Sequence, residues 1–245
     1  MLKRMLVTWL VANFALVGLV SWLAGGWYLG WPVSPVLGAL AELGLIMVPN
    51  FVLPALALRY WWPESIDRGR DALGWRWAGW RSLVSGLVAF AALYALLHMV
   101  VSWVGRSIPY HLPGTEEAGS AMTIGSVADL LRALGLLLAL LGLVSITVVG
   151  EETMFRGFIQ TQLGRQYGVW AGIVVGALMF GLRHLPADLF YARVWQATPQ
   201  MWLSRQLQLY LTAICLSLAR HLGKSTYASA ITHGLVFAIA LFGPG

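Results

Sequence analysis

A chain of 245 residues that is 59% hydrophobic and 11% charged is too apolar for an ordinary soluble domain, where about a quarter of the residues carry charge. Its net charge of +6 does not point to nucleic acid, because no basic run is interleaved with stacking aromatics in a soluble segment. The charge is better explained by membrane topology and attraction to anionic membrane lipids.

Roughly 20 apolar residues span a bilayer as a helix. The expected fold is therefore all-α, a polytopic membrane bundle of about seven or eight transmembrane helices forming a single domain over residues 1–245. In chain order the apolar stretches fall at about 5–25, 36–58, 82–104, 127–149, 169–185, 200–219 and 225–243. The first follows Met1-Leu2-Lys3-Arg4 and outruns the apolar core of a signal peptide, so it is expected to be a retained helix. The longer connections are 59–81, rich in Arg and Trp, 105–125, with Pro109, Pro113 and Gly114, and 186–199, closed by Pro199. Placing the N-terminus in the cytoplasm puts most Lys and Arg on that side, among them Lys3, Arg4, Arg76, Arg81, Arg165, Arg220 and Lys224. The expected location is a bacterial inner (plasma) membrane. Trp27, Trp31, Trp61, Trp62 and Trp103 lie near expected helix ends, as an interfacial belt requires. Cys215, the lone cysteine, forms no internal disulfide.

Ionisable groups inside spans cost a few kcal/mol or more each and need a partner, water or a function. Asp129 and Arg132, three apart, are read as a structural pair. His98 is read as a core histidine, and Glu42 as a lone acid with no motif around it. The segment Gly150-Glu151-Glu152-Thr153-Met154-Phe155-Arg156 is different. Glu152 and Arg156 are four apart with the acid first, the favourable order for a helical ion pair. Glu151 is then expected about 100° away around the helix, unpaired, where burial beside a second carboxylate suits it to take a proton from water. Two histidines follow. His184 closes Phe180-Gly181-Leu182-Arg183-His184, and His233 sits in Ala230-Ile231-Thr232-His233-Gly234. With a hairpin turn at Gln166-Tyr167-Gly168, Glu151 and His184 both lie about 16 residues from the turn, roughly 24 Å of helix rise, and so at equal depth.

These motifs resemble those of the CPBP intramembrane proteases, also called the Abi or CAAX-protease family, which includes the type II CAAX prenyl endopeptidases. That family carries Glu-Glu-x-x-x-Arg, matched by Glu151, Glu152 and Arg156; then Phe-x-x-x-His, matched by Phe180 and His184; then His-x-x-x-Asn/Asp/Ser, of which His233 matches the first position while Phe237 occupies the last. The resemblance covers about 145–240 and implies a catalytic core at about 127–243. It implies that Glu151 and His184 activate water, that His233 stabilises an oxyanion, and that Glu152 and Arg156 support the site. Ser229, four residues before His233, and Asn50, an intramembrane amide beside Pro49, are the candidates to replace the missing polar partner. The implied substrate is a membrane-associated or lipid-anchored protein or peptide. A divalent metal such as zinc, held by Glu151, His184 and His233, would lower the pKa of bound water to about 7. A glutamate–histidine pair also activates water unaided, and the expectation leans towards no tightly bound structural metal. Two other readings lack the hydrolysis: a binding or immunity module that keeps the fold, motivated by Phe237, and a small proton-coupled transporter that uses buried Glu and His as a proton relay, for which the expected repeated broken helices are not seen.

Overall fold

Helix signals in the second half of the chain are strong, and the computed structural model obeys them. It describes residues 52–63, 69–104, 147–194 and 196–242, with a few isolated positions besides. The expected spans at 5–25, most of 36–58 and 127–149, the 105–125 connection, and Glu42, Asn50, Asp129 and Arg132 lie outside the described residues. Among the described residues the structure is helical throughout, without strands.

Helix α1 (Leu53–Trp61) is followed by a 3₁₀ turn (Gly69–Leu73) and α2 (Trp80–Val104). A π-helix (Glu152–Ile159) runs directly into α3 (Gln160–Tyr167), and then come α4 (Val169–Val194), α5 (Pro199–Gly223) and α6 (Thr226–Phe242). At 25 residues with a mean hydropathy of 2.1 in its most apolar window, α2 is long and apolar enough to cross a membrane. Shorter apolar stretches occupy Val169–Leu185 and Thr226–Ile239. The outer surface of α2 and α4 is apolar, with Val88, Met99, Trp103, Trp170 and Val174 all more than half exposed. Charged and polar side chains such as Glu152, Arg156 and His233 are buried instead. A soluble domain arranges these classes the other way round, so the pattern is that of a bundle solvated by lipid.

Helix α5 is central, packed against α2, α4, α6 and the π-helix. Its position explains why it is less apolar than a lipid-facing span: it buries Ser204, Gln206 and Ser217 against protein. Its ends follow standard signals. Thr198 accepts a hydrogen bond from the Met201 N–H at 3.2 Å and Pro199 opens the first turn, while Lys224, in the left-handed region at φ +49°, closes the last. The hairpin between α3 and α4 turns at Gly168 as expected. Its φ of +91° suits glycine alone, and its N–H bonds the Gly164 carbonyl at 3.1 Å. Helix α4 departs from expectation by running through the segment read as the 186–199 connection, to Val194. Buried Asp188 accounts for the extension, since Arg205 and Gln206 of α5 bond its two oxygens at 3.3 and 2.9 Å.

Where α2 crosses α6 the backbones nearly touch at Gly86. A Cβ there meets the Ala228 carbonyl at 2.8 Å and the Ile231 side chain at 3.0 Å, and the Thr232 hydroxyl donates to the Gly86 carbonyl at 2.8 Å. Small residues permit such approaches between membrane helices. Gly86→Val is therefore expected to destabilise the bundle by about 1–3 kcal/mol through overpacking. Gly234→Ala, with open space around the new Cβ, should change little. Thermal unfolding of the two detergent-solubilised variants checks this, and equal midpoints would refute the close crossing.

Candidate active site

The site is built on the π-helix. Bonding from residue i to i+5 puts more residues in each turn than an α-helix and so reduces the angle between successive side chains. Glu151, at its N-terminal boundary, and Glu152 therefore both turn inward, with exposures of 3% and 0%. The expectation of an unpaired Glu151 is corrected by α4, which brings Arg183 to it. Glu151 forms an ion pair with Arg183 of α4, and its other oxygen lies 3.7 Å from Nε2 of His233. Glu152 pairs with Arg156 at 3.2 Å, as expected, and also holds Nδ1 of His233 at 2.8 Å. The two carboxylates thus stand at the two nitrogens of a single buried imidazole.

That geometry restricts the protons. At 2.8 Å from a carboxylate oxygen, Nδ1 of His233 is the donor, assigned from the hydrogen-bond network. The 3.7 Å separation at Nε2 is too long for a direct hydrogen bond, so the Nε2 side of His233 is not hydrogen-bonded to Glu151. His184 is arranged differently. Its Nδ1 is 2.9 Å from the Phe180 carbonyl, which only accepts, so Nδ1 carries the proton and Nε2 keeps its lone pair. In its neutral form the histidine therefore presents the Nε2 lone pair, and it lies within electrostatic range of Glu151.

Phe180 holds these groups together. Its ring centroid is 4.9 Å from that of His184 and 6.2 Å from that of His233, and Phe155 meets it edge-on at 5.1 Å. The Arg156 guanidinium sits 4.6 Å over its face, a cation–π contact that partly offsets the burial of that charge. Arg156 also donates to the Ala213 carbonyl at 3.2 Å, and one turn along Gln160 donates to the Ser217 carbonyl at 3.0 Å, fixing the π-helix and α3 to α5. Ser229 stands beside the Glu152 carboxylate, its hydroxyl donating to the Thr226 carbonyl at 2.9 Å. Phe237 stacks on His233 at 5.2 Å and 27°, so an aromatic face occupies the place of the polar partner that the third motif usually supplies.

The family model described as type II CAAX prenyl endopeptidase Rce1-like matches residues 133–239, a span that holds every one of these side chains. Residues 133–239 belong to the CPBP, or CAAX-protease, family. No curated protein and no solved structure matches the chain. At family level the Rce1-like domain is that of a membrane-embedded CAAX-type protease, whose substrate is a membrane-associated protein.

The described side chains of residues 133–239 are engaged with one another rather than gathered around a divalent metal. Among the described residues no group of three or more His, Cys, Asp or Glu side chains is arranged to hold one. One oxygen of Glu151 is held by Arg183, one oxygen of Glu152 by both Arg156 and His233, and Nδ1 of His184 by a carbonyl, while Oε2 of Glu152 is buried without a hydrogen-bond partner. Two guanidinium groups beside the carboxylates repel a cation in the region where it would sit.

Arg183 and Asp188 of the Rce1-like domain were not assigned roles by the motifs. Arg183 was legible as a charge in an apolar helix that needed a partner, and Glu151 was the nearby acid without one. Asp188 lies four residues after His184, on the same helical face, but in a stretch expected to be a loop. His98 is corrected: it is exposed rather than in the core, and it lines a cavity of about 390 Å³ between α2, α5 and α6 with Tyr94, Arg205 and Val236.

Proposed function

We propose that the protein is an intramembrane endopeptidase that hydrolyses a peptide bond of a membrane-associated or lipid-anchored protein with water activated by Glu151 and His184. The observation that carries this reading is the convergence of two carboxylates on the two nitrogens of His233, with His184 held as a base around the same Phe180 ring. In this reading Glu151 and His184 remove a proton from water, and the hydroxide oxygen attacks the carbonyl carbon of the scissile bond. The π electrons of that carbonyl move to its oxygen. His233, held at Nδ1 by Glu152, stabilises the resulting oxyanion from its Nε2 side. Collapse of the intermediate breaks the C–N bond, and the proton taken from water leaves with the amine. Glu152, Arg156 and Ser229 support this arrangement, and Arg183 holds Glu151 in position.

The membrane is read as a bacterial inner membrane with the N-terminus cytoplasmic, supported by the basic side chains gathered where α5 ends and α6 begins. His233→Ala is expected to lower turnover by about 10²–10³, the usual cost of one oxyanion donor, with the protein still present in the membrane. Substrate processing in cells, normalised to immunoblotted membrane protein, measures this. Wild-type processing by a well-expressed His233→Ala would remove the histidine from the mechanism.

A further inference from the structure

The end of the bundle where α2, α4 and α6 begin and α3 and α5 finish is basic and aromatic. Trp77, Trp80, Trp170 and Tyr167 are each more than half exposed there, as anchors at headgroup depth are. Arg81 is held locally, its Nε donating to the Leu222 carbonyl at 2.6 Å. Arg220 is not accommodated in that way. Its Nη2 donates to the Thr161 hydroxyl at 2.6 Å, but its Nε is shielded from solvent with no hydrogen-bond partner. The charge acting on Arg220 is a second cation, Arg165, and among the described residues no carboxylate offsets it. Arg165 stands four residues after Thr161 on the same face of α3, exposed, with its guanidinium 5.4 Å over the Trp62 ring. Arg220 is thus tied to Thr161, one turn from Arg165 on α3, so two cations share one membrane-proximal end, and the buried Nε of Arg220 is left without a partner, an arrangement that an anion would stabilise.

We propose that Arg165 and Arg220 form a binding site for the phosphodiester headgroup of an anionic phospholipid in the adjoining leaflet. Guanidinium forks match phosphate oxygens with paired hydrogen bonds. The surrounding tryptophans place the site at the depth where such headgroups lie, and each arginine near an anionic surface contributes enough attraction for about a fivefold change in binding. The site lies on α3 and α5, apart from Glu151, Glu152, His184 and His233, and does not depend on the hydrolytic reading.

The test uses the purified full chain in neutral detergent, titrated with phosphatidylglycerol or with phosphatidylcholine of the same acyl chains, and scored for retained lipid by native mass spectrometry. Phosphatidylglycerol is expected to be retained and phosphatidylcholine not. Arg165→Gln should retain phosphatidylglycerol about fivefold less well, and Arg220→Gln at least as weakly. Arg81→Gln should behave as wild type, and inorganic phosphate should not displace the lipid. Because Arg165 is exposed, its variant keeps the test decisive even if Arg220→Gln fails to fold. Unchanged retention by Arg165→Gln, an equal loss in Arg81→Gln, equal retention of phosphatidylcholine, or displacement by inorganic phosphate would each overturn the proposal.

Discussion

Glu151→Gln is expected to abolish substrate cleavage while the protein still inserts and folds. Glutamine keeps the size of glutamate, and its amide oxygen still accepts from Arg183, so the α4 contact survives in weakened form. What is lost is the ability to take a proton from water, a contribution of about 10²–10⁴ in rate for a positioned base. His184→Ala should be as severe, because it removes the Nε2 lone pair that the Phe180 carbonyl keeps available. Complementation of substrate processing in cells, with membrane levels of each variant checked by immunoblot, gives the result. Normal processing by well-expressed Glu151→Gln would refute the mechanism and favour a module that acts by binding.

Arg156→Ala is expected to cost more in folding than in chemistry. The substitution removes a guanidinium that is 1% exposed and leaves Glu152, fully buried, with its charge uncompensated except by His233. Breaking a buried ion pair from one side typically costs about 3–5 kcal/mol. The bond to the Ala213 carbonyl and the contact with Phe180 disappear with it. Less monodisperse protein and a lower unfolding temperature should follow. Pairing the change with Glu152→Gln should restore part of the folding, since the stranded charge is then gone, without restoring activity. Unchanged expression and proteolysis by Arg156→Ala would show that the pair supports neither.

Much of the site was legible because its costly residues occur in spaced motifs. Glu152 and Arg156 were read as a pair from their separation alone, and the Gly168 turn that matches Glu151 to His184 follows from counting residues. What sequence spacing did not reveal was the helix type. Periodicity arguments assume the α-helical angle, and a π-helix at Glu152–Ile159 changes where neighbouring side chains point without changing any residue. The partner of Glu151 was missed because it comes from another helix, α4, although Arg183 stood beside His184 in the motif. Helix α4 past Leu185 was missed because its continuation rests on tertiary bonds from Arg205 and Gln206 to Asp188, which no local pattern records. The apolar helices α2, α4 and α6 were legible because lipid demands a continuous apolar surface.

Phe237 at the end of the third motif bears on the timing of disorder and order in the reaction. The His233 ring is stacked on Phe237, bonded through Nδ1 to Glu152 and met by Phe180 on another side. Immobilising a side chain of this kind costs about 0.5–1.5 kcal/mol of rotational freedom. In this bundle the loss is incurred when the helices assemble, not at each encounter with substrate, so in the proposed mechanism the imidazole enters the reaction preorganised. A polar residue at position 237 adds a hydrogen-bonding group; phenylalanine instead limits the ring to one plane, trading chemical versatility for a fixed direction of proton donation.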